Sequence, residues 1–310
     1  MRGRGVFVDG AELTMRDSRV EETAFAGIYA TGGAMLSVVG GSVDSAGTGV
    51  WVGDGATAVL EGLTVRDARW EGIVAIGADT RVTFRGGSVE GTGGTGLAAL
   101  AGSWVEVSGA DISRSSGAAG VLAVSSTVGI RGSVVRETAS GAGLEGRTMS
   151  TVALEDTAIV GGQWYQDGIL VSGQAHVTMT RGTIDGVFSG VTLNSHGSFT
   201  ATDVDIRAWY GFYVGSGRVD ATGGSLETRY EQAYCASGVG GLALDGVRLE
   251  GGQGLSFSKY ADSERYCEVD VSGRTVEDVR RAGLDCGGAP IRIAGQVYES
   301  CEDWLMEPDR

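Results

Sequence analysis

Three residues in the middle of the chain carry groups that could take part in acid–base chemistry. Glu145 and Asp167 are carboxyls, and His196 is one of only 2 histidines in the 310-residue sequence. Hydrolysis of a glycosidic bond needs two carboxyls roughly 5 to 9 Å apart, and an imidazole can act as a base. A lone histidine in a turn is more often a surface residue than a catalyst, so the sequence favours a non-catalytic role for these residues.

The same region is rich in residue types that bind sugars. Aromatic rings stack on the C–H faces of sugars, and Arg and Asn side chains hydrogen-bond to hydroxyls or carboxylates. The residues concerned are Arg147, Trp164, Tyr165, Asn194, Trp209, Tyr210, Tyr213 and Tyr230. They predict a polysaccharide-binding groove. The alternative is that the rings only cover a corner of the fold and shield its backbone edges.

These residues belong to a repeat that runs through the whole chain. Its form is a glycine followed by an apolar residue, as in the run Asp167-Gly168-Ile169-Leu170-Val171-Ser172-Gly173. A fixed period of about 20 to 25 residues is the signature of a solenoid. The apolar residue after the glycine falls at Val6, Ile28, Val50, Ile73, Leu97, Val121, Leu144, Ile169, Val191, Phe212, Ala233, Leu255, Leu284 and Leu305.

Two further apolar columns complete each coil. An alternating pair, such as Leu36/Val38, comes first, and a single apolar residue, such as Val43, follows five positions after the second member of the pair. Period-two alternation marks a strand with one buried face. Each coil therefore has three short strands, and equivalent strands stack into three parallel sheets around an apolar core. Sequential parallel crossovers are nearly always right-handed.

The pattern resembles the right-handed parallel β-helix of the pectate-lyase-like superfamily, and the resemblance covers the whole chain. It implies an all-β solenoid of about 13 coils, with residues 1–297 as the β-helix and residues 298–310 as a C-terminal cap. A left-handed hexapeptide β-helix needs a shorter coil and is disfavoured. The superfamily includes lyases, hydrolases, epimerases and non-catalytic surface proteins, so the resemblance implies a fold and not one function.

The motifs of the superfamily's best-defined enzymes are incomplete in this sequence. Of the polygalacturonase set, Ser195-His196-Gly197 matches one element in part, and the Asp-Pro-His-Asp motif of alginate epimerases is absent. Polysaccharide enzymes of the superfamily bind their substrate along a sheet, which adds weight to the predicted groove.

Four successive coils carry apolar residues on the outward side of the third strand, where a solvated sheet normally carries polar ones. They are Trp51, Val74, Ile76, Leu100, Leu122 and Val124. A contiguous apolar patch of several hundred Å² usually marks an interface. We therefore expect contact with a second copy or with a domain outside this sequence. The alternative is that a loop of this chain covers the patch.

Charge and hydropathy limit the partners. The net charge of −15 disfavours nucleic acid and anionic membrane surfaces, and no apolar run of about 18 residues predicts a membrane span.

Outward charges on the second strand alternate in Asp44–Arg66–Glu90 and Asp185–Arg207–Glu227, which predicts ion-pair ladders that stabilise the fold only modestly. The last ladder continues into Glu250 and Glu277, a run that could hold Ca²⁺; no other cofactor is expected.

All four cysteines lie in the last third of the chain, at Cys235, Cys267, Cys286 and Cys301. Cys235 and Cys286 share an inward column two rungs apart, which is farther than a disulfide tolerates. We expect the pairs Cys235–Cys267 and Cys286–Cys301, with buried free thiols as the alternative. No two cysteines have the Cys-x-x-Cys spacing of a zinc site.

Disulfides would fit an exported protein. The sequence has no visible signal peptide, and it begins inside a coil with nothing ahead to cover the open end. We therefore expect it to be part of a longer, exported chain; the alternative is a complete cytosolic chain that a partner caps. Lys259 is the only lysine among 24 basic residues, which is typical of a high-GC genome.

The sequence predicts an exported or cell-surface bacterial β-helix that binds polysaccharide or acts as a scaffold. The alternatives are a lyase, hydrolase or epimerase with a divergent site, and a rod that self-associates through its apolar face.

Overall fold

The computed structural model describes residues 3–139, 141–162, 166–235 and 240–251, and beyond them the backbone of five short strands between residues 255 and 298. Every regular element within these residues is a β-strand. The strands are β1 (Val6–Asp9), β2 (Glu12–Arg16), β3 (Arg19–Glu21), β4 (Ala26–Thr31), β5 (Met35–Val39), β6 (Ser42–Asp44), β7 (Thr48–Gly53), β8 (Thr57–Arg66), β9 (Ile73–Ile76), β10 (Arg81–Glu90), β11 (Leu97–Leu100), β12 (Trp104–Ser113), β13 (Ala119–Val124), β14 (Thr127–Arg131), β15 (Val134–Arg136), β16 (Ala142–Arg147), β17 (Thr151–Glu155), β18 (Ala158–Val160), β19 (Asp167–Val171), β20 (His176–Thr180), β21 (Thr183–Leu193), β22 (Gly197–Thr202), β23 (Asp205–Val214), β24 (Gly217–Thr222), β25 (Ser225–Cys235), β26 (Gly240–Asp245), β27 (Arg248–Gly251), β28 (Leu255–Phe257), β29 (Cys267–Asp270), β30 (Leu284–Asp285), β31 (Ile291–Ile293) and β32 (Gln296–Tyr298).

Equivalent strands of successive coils pair in parallel, in three series. The first-strand series is β2, β5, β8, β10, β12, β14, β17, β20, β22, β24, β26, β29 and β31. The second-strand series is β3, β6, β8, β10, β12, β15, β18, β21, β23, β25 and β27. The third-strand series is β1, β4, β7, β9, β11, β13, β16, β19, β21, β23, β25, β28 and β30.

Six strands continue around a corner and belong to two series, so that all the strands join in one 32-stranded network. The fold class predicted from the repeat, an all-β parallel solenoid, is confirmed. The last pairing differs, because β31 and β32 are antiparallel and form a hairpin. The predicted cap at residues 298–310 lies outside the described residues, apart from Tyr298 at the end of β32.

The inward columns follow the alternation seen in the sequence. Val50, Ile73, Leu97 and Val121 are register partners on successive rungs, and all four are completely buried. The first-strand pairs, such as Val105 and Val107, and the single second-strand residues are buried in the same way, except for those of the first coil and Leu249, which are partly buried. The core is therefore a continuous stack of apolar, mostly aliphatic side chains between the three series.

The repeated glycine before the third strand is required by packing. A β-carbon on Gly72 would lie 2.2 Å from Cγ1 of Val89 and 2.5 Å from the carbonyl oxygen of Gly96 in the next coil. A β-carbon on Gly49 would meet Val65 at 2.4 Å. Neither Gly49 nor Gly72 has a left-handed backbone angle, so lack of space and not backbone conformation requires a glycine there. Left-handed angles occur at other corners, for example at Asp156 (φ 49°), one residue past the first strand.

Candidate functional site

One outward column runs along the third-strand series, and its chemistry changes near the middle of the chain. In register order its members are Phe7, Tyr29, Trp51, Val74, Ala98, Leu122, Glu145, Leu170, Thr192, Tyr213 and Tyr234. We call the surface formed by this column and its outward neighbours the third-strand face. The face is apolar as far as Leu122, and Glu145 begins a polar part.

Glu145 forms a two-point ion pair with Arg147, which is the next outward residue of β16. Arg147 donates from Nε to Oε1 of Glu145 at 2.5 Å and from Nη2 to Oε2 at 2.8 Å. Bidentate geometry of this kind is the strongest form of a guanidinium–carboxylate contact. Glu145 is only 3% exposed, although its strand position faces outward, while nearly half of the Arg147 side chain is in contact with solvent.

Asp167 lies beside this pair, at the start of the next third strand. Oγ1 of Thr192, one rung further along, donates a hydrogen bond to Oδ1 of Asp167 at 2.9 Å. Burial raises the pKa of Asp167; hydrogen bonds from Thr192 and Ser189 oppose the rise, and the negative charge of Glu145 adds to it. The structure thus brings together two of the three predicted acid–base residues.

We call Glu145, Arg147, Asp167 and Thr192 the carboxyl cluster. It combines a guanidinium, a hydroxyl and a carboxyl whose proton is held more firmly than usual. Such a set can donate and accept hydrogen bonds to the hydroxyls of a sugar, and a carboxyl with a raised pKa can also serve as a general acid.

His196 and Asn194 lie apart from the carboxyl cluster. Thr192 is two rungs along from Glu145, and His196 is a further four positions past Thr192, in the turn before β22. Its backbone N–H donates to Oγ of Ser216 at 3.3 Å, and its side chain is exposed. Asn194 is also exposed, two rungs along from Arg147 at the same strand end.

The predicted aromatic residues do not line a single groove. Tyr213 and Tyr234 stack on the third-strand face with ring centroids 5.2 Å apart. Tyr210 follows Asp167 and Ser189 in their column near the corner, and its ring stacks on Tyr230 at 5.5 Å. Trp209 instead lines a depression of about 310 Å³ on the second-strand side.

Much of the aromatic surface at the corner is used within the chain. Trp209 lies 5.4 Å from Tyr230, and the Arg229 guanidinium lies 4.7 Å over the Trp209 ring. Phe188, which the sequence analysis did not single out, contacts Tyr210 at 5.0 Å. Covering of the corner by stacked rings therefore accounts for part of this cluster, while Tyr213 remains 38% exposed.

Three residues at the site were not predicted from the sequence, and two of the predicted site residues lie outside the described residues. Thr192 and Ser189 contact Asp167, and the register of the Gly-apolar repeat would have placed both beside it. Gln166 is buried, and its Oε1 accepts from the backbone N–H of Gly162 at 3.2 Å. Trp164 and Tyr165 are outside the described residues.

The cysteine pairing stays a prediction. Cys235 and Cys267 lie in β25 and β29, where only their backbone is described, and Cys286 and Cys301 lie outside the described residues. Cys235 has Phe257 as its register partner in the next coil, as the inward column predicted.

The apolar part of the third-strand face is less exposed than the sequence pattern predicts. Val74 is buried, whereas Trp51, Ile76, Leu100, Leu122 and Val124 are half-buried. Neighbouring outward side chains are about 4.8 Å apart along the stack, so they cover part of one another. The aliphatic residues still form a continuous patch without a charged side chain.

Among the described residues, no group of three or more His, Cys, Asp or Glu side chains is arranged to hold a metal ion. In the glutamate run that was considered for Ca²⁺, Glu227 binds Arg207 at 2.8 Å and Glu250 binds Arg248 at 2.6 Å, while Glu277 is outside the described residues. No helix among these residues is long and apolar enough to span a bilayer.

Residues 27–206 match the family model for a right-handed β-helix region, and no curated protein matches the chain significantly. The matched segment is more than half of the 310 residues, and it runs from β4 into the first part of β23, so it includes the carboxyl cluster. The match confirms the handedness expected from the repeat and agrees with the resemblance to pectate-lyase-like β-helices. The chain belongs to the right-handed β-helix family.

Proposed function

We propose that this protein binds polysaccharide along the third-strand face, with the carboxyl cluster and Tyr213 as contact residues. Its location outside the cell or on the cell surface is part of the same proposal. The β-helix family supports a carbohydrate-related or scaffold role in general terms, and the choice between these roles depends on the site.

One observation carries the proposal: a cluster of hydrogen-bonding groups lies on the same face as an exposed aromatic ring. Thr192 of the carboxyl cluster is the register partner of Tyr213. Three rungs separate Glu145 from Tyr213, about 14 Å at the spacing of a β-helix. A polysaccharide lying along the stack would therefore contact the guanidinium of Arg147 and the ring of Tyr213 together.

The stacking of Tyr213 on Tyr234 limits which part of the Tyr213 ring a ligand can contact. One face of Tyr213 is against Tyr234, and its other face is on the side of Thr192. A sugar ring near Thr192 would pack against the exposed part of the Tyr213 ring, where aromatic contacts contribute about 1 kcal/mol.

Affinity electrophoresis through gels that contain polygalacturonate, xylan or a soluble β-glucan tests the proposal. We expect at least one polymer to retard the wild type, and Tyr213→Ala to weaken the retention about fivefold. Trp104→Ala is the matched control, because Trp104 is an exposed aromatic residue on the first-strand side. Lack of retention in every gel would contradict the proposal.

An enzymatic role is the second candidate, and the raised pKa of Asp167 favours it. A protonated Asp167 beside Glu145 could donate a proton to the leaving oxygen of a glycosidic bond. The polymers that retard the protein are therefore also assayed for new reducing ends and unsaturated products. Products that form with the wild type and not with Asp167→Asn would make the protein an enzyme; stable polymers leave it a binding protein.

A further inference from the structure

A cleft opens at the N-terminal end of the third-strand face, away from the carboxyl cluster. It has a volume of about 630 Å³ and is lined by Gly3, Arg4, Phe7, Phe25, Ala26, Tyr29, Thr48, Trp51 and Trp70. We call it the N-terminal cleft. Its walls are two rows of aromatic rings, and the small residues Ala26 and Thr48 lie between them at the start of the third strands.

The first row consists of outward residues of the third strand, and their rings stack on one another. Tyr29 and Trp51 are parallel, with centroids 4.1 Å apart and planes at 3°. Phe7 is 5.6 Å from Tyr29. The guanidinium of Arg4 lies 4.8 Å over Phe7 and 4.3 Å over Tyr29. This row presents mainly ring edges to the cleft.

The second row lies at the corner before the third strand, where the rings are more open. Phe25 is 57% exposed and Trp70 is 49% exposed. Within the described residues neither ring stacks on another one. Gly47 occupies the rung between them, and a β-carbon there would lie 2.9 Å from Cζ3 of Trp70. Because Gly47 has no side chain, the Trp70 ring leans over that rung.

Polar groups border the aromatic rows. Oγ1 of Thr48 donates to Oε2 of Glu71 at 3.5 Å, which is at the long limit for a hydrogen bond. Both groups therefore keep capacity for a further partner. The cleft combines open aromatic faces with the hydroxyl of Thr48 and the guanidinium of Arg4, and the carboxylate of Glu71 is the hydrogen-bond partner of Thr48.

We infer that the N-terminal cleft is a second saccharide-binding site, which takes one or two sugar rings of a polysaccharide. Open aromatic rings match the C–H faces of a sugar, and the hydroxyl of Thr48 and the guanidinium of Arg4, which line the same cleft, can form hydrogen bonds to sugar hydroxyls. A nucleic acid is disfavoured by the net charge of −15.

The two sites lie on one face of one rigid stack. Four rungs separate Trp51 from Glu145, which is about 19 Å. One polysaccharide chain lying along the face can then occupy both sites, and the second contact forms at a high effective concentration. The inference rests on the proposed function for the class of ligand, and it assigns a site that the proposal does not include.

The test uses the full chain and the same polymer gels with four variants. Trp70→Ala removes the open ring, and Trp70→Phe keeps a ring at the same place. Tyr213→Ala reports on the site formed by the carboxyl cluster and Tyr213, which we call the central site. Trp104→Ala is the exposed aromatic control. We expect Trp70→Ala to weaken retention about fivefold, Trp70→Phe to restore most of it, and Trp104→Ala to behave like the wild type.

The outcomes separate this inference from the proposed function. If Tyr213→Ala weakens retention while Trp70→Ala binds like the wild type, the N-terminal cleft is not a saccharide site and the proposed function stands. If only Trp70→Ala weakens it, the cleft binds sugar and the central site does not. If Trp70→Phe is as weak as Trp70→Ala although its thermal melting is normal, stacking on the ring is refuted. A wild type that no polymer retards overturns both proposals.

Discussion

The glycine that precedes each third strand is the residue with the least freedom to change. At Gly72 the space that a β-carbon would need is already taken by the side chain of Val89 and by a backbone carbonyl of the next coil. Neither can move without disturbing the core, because Val89 is completely buried and the carbonyl is part of the stack. The corner can therefore close only around a residue that lacks a side chain.

We expect Gly72→Ala to lower the free energy of unfolding by about 2 to 3 kcal/mol, the usual cost of overpacking a core. Gly129→Ala is the matched control, because its β-carbon would meet only the carboxylate end of the flexible Glu106 side chain. Urea unfolding followed by circular dichroism measures both. Equal stability of the two variants would show that steric closure is not why the glycine is needed.

Asp167 makes stability depend on pH in a direction set by burial. Its pKa is higher in the folded chain than the ordinary value of 3.8, so the native state holds the proton more firmly than the unfolded state. As pH rises from 3.8 through the folded pKa, the unfolded state loses its proton first, and the native state becomes less favourable. Below 3.8 both states are protonated and the effect is absent.

Asp167→Asn should therefore melt at a higher temperature than the wild type at pH 7 and at the same temperature near pH 3. The amide keeps an acceptor for the hydroxyl of Thr192 and carries no charge to bury. Thermal melting of both proteins between pH 3 and pH 8 checks this expectation. A variant that is less stable than the wild type at pH 7 would show that the ionised carboxylate is stabilised by its neighbours.

At the scale of the strands, the second-strand ladders show how far register determines surface contacts. Arg207 bridges Asp185 at 3.5 Å and Glu227 at 2.8 Å, as the charge alternation predicts. Arg66 contacts Asp44 at 3.6 Å, but Glu90 pairs with Arg114, one coil further on and just past the strand end. A long exposed side chain can form ion pairs of similar energy with several neighbours, so the rung order alone does not determine which pair forms.

The inward columns could be predicted from the sequence because a period of two and a fixed coil length leave little choice. Every predicted inward partner in the third-strand series, from Val6 to Leu284, lies in the expected register. The burial of Glu145 could not be predicted, since it depends on Arg147 lying against its carboxylate. The N-terminal cleft was missed because Phe25 and Trp70 are corner residues two coils apart, and strand periodicity does not relate them.

At the scale of the whole molecule, charge is distributed unevenly over the surfaces of the stack. The described ion pairs concentrate on the first- and second-strand sides and at the corners. The outward column of the third-strand series has no charge from Phe7 to Leu122. A molecule with a net charge of −15 therefore keeps one side on which a neutral ligand or a second copy would meet no repulsion from that column.

Self-association through the apolar part of the third-strand face would be weak. From Phe7 to Leu122 the column extends over five rungs, about 24 Å, and the strands are only a few residues wide. The area is below the roughly 800 Å² per partner of a standard interface. We expect reversible association, with a mass that rises above 31.8 kDa only at high protein concentration.

Sedimentation velocity over a range of concentrations tests this expectation with Ile76→Asp/Leu100→Asp. A carboxylate on each of two adjacent rungs would have to lose its water in the interface, so the variant should remain a folded monomer. Ala153→Asp/Thr200→Asp adds the same two charges to exposed positions of the first-strand series and should associate like the wild type. If both variants lose association equally, net charge and not the apolar side controls it. If the wild type is monomeric at every concentration, the side is free for the polysaccharide that the two proposed sites would hold.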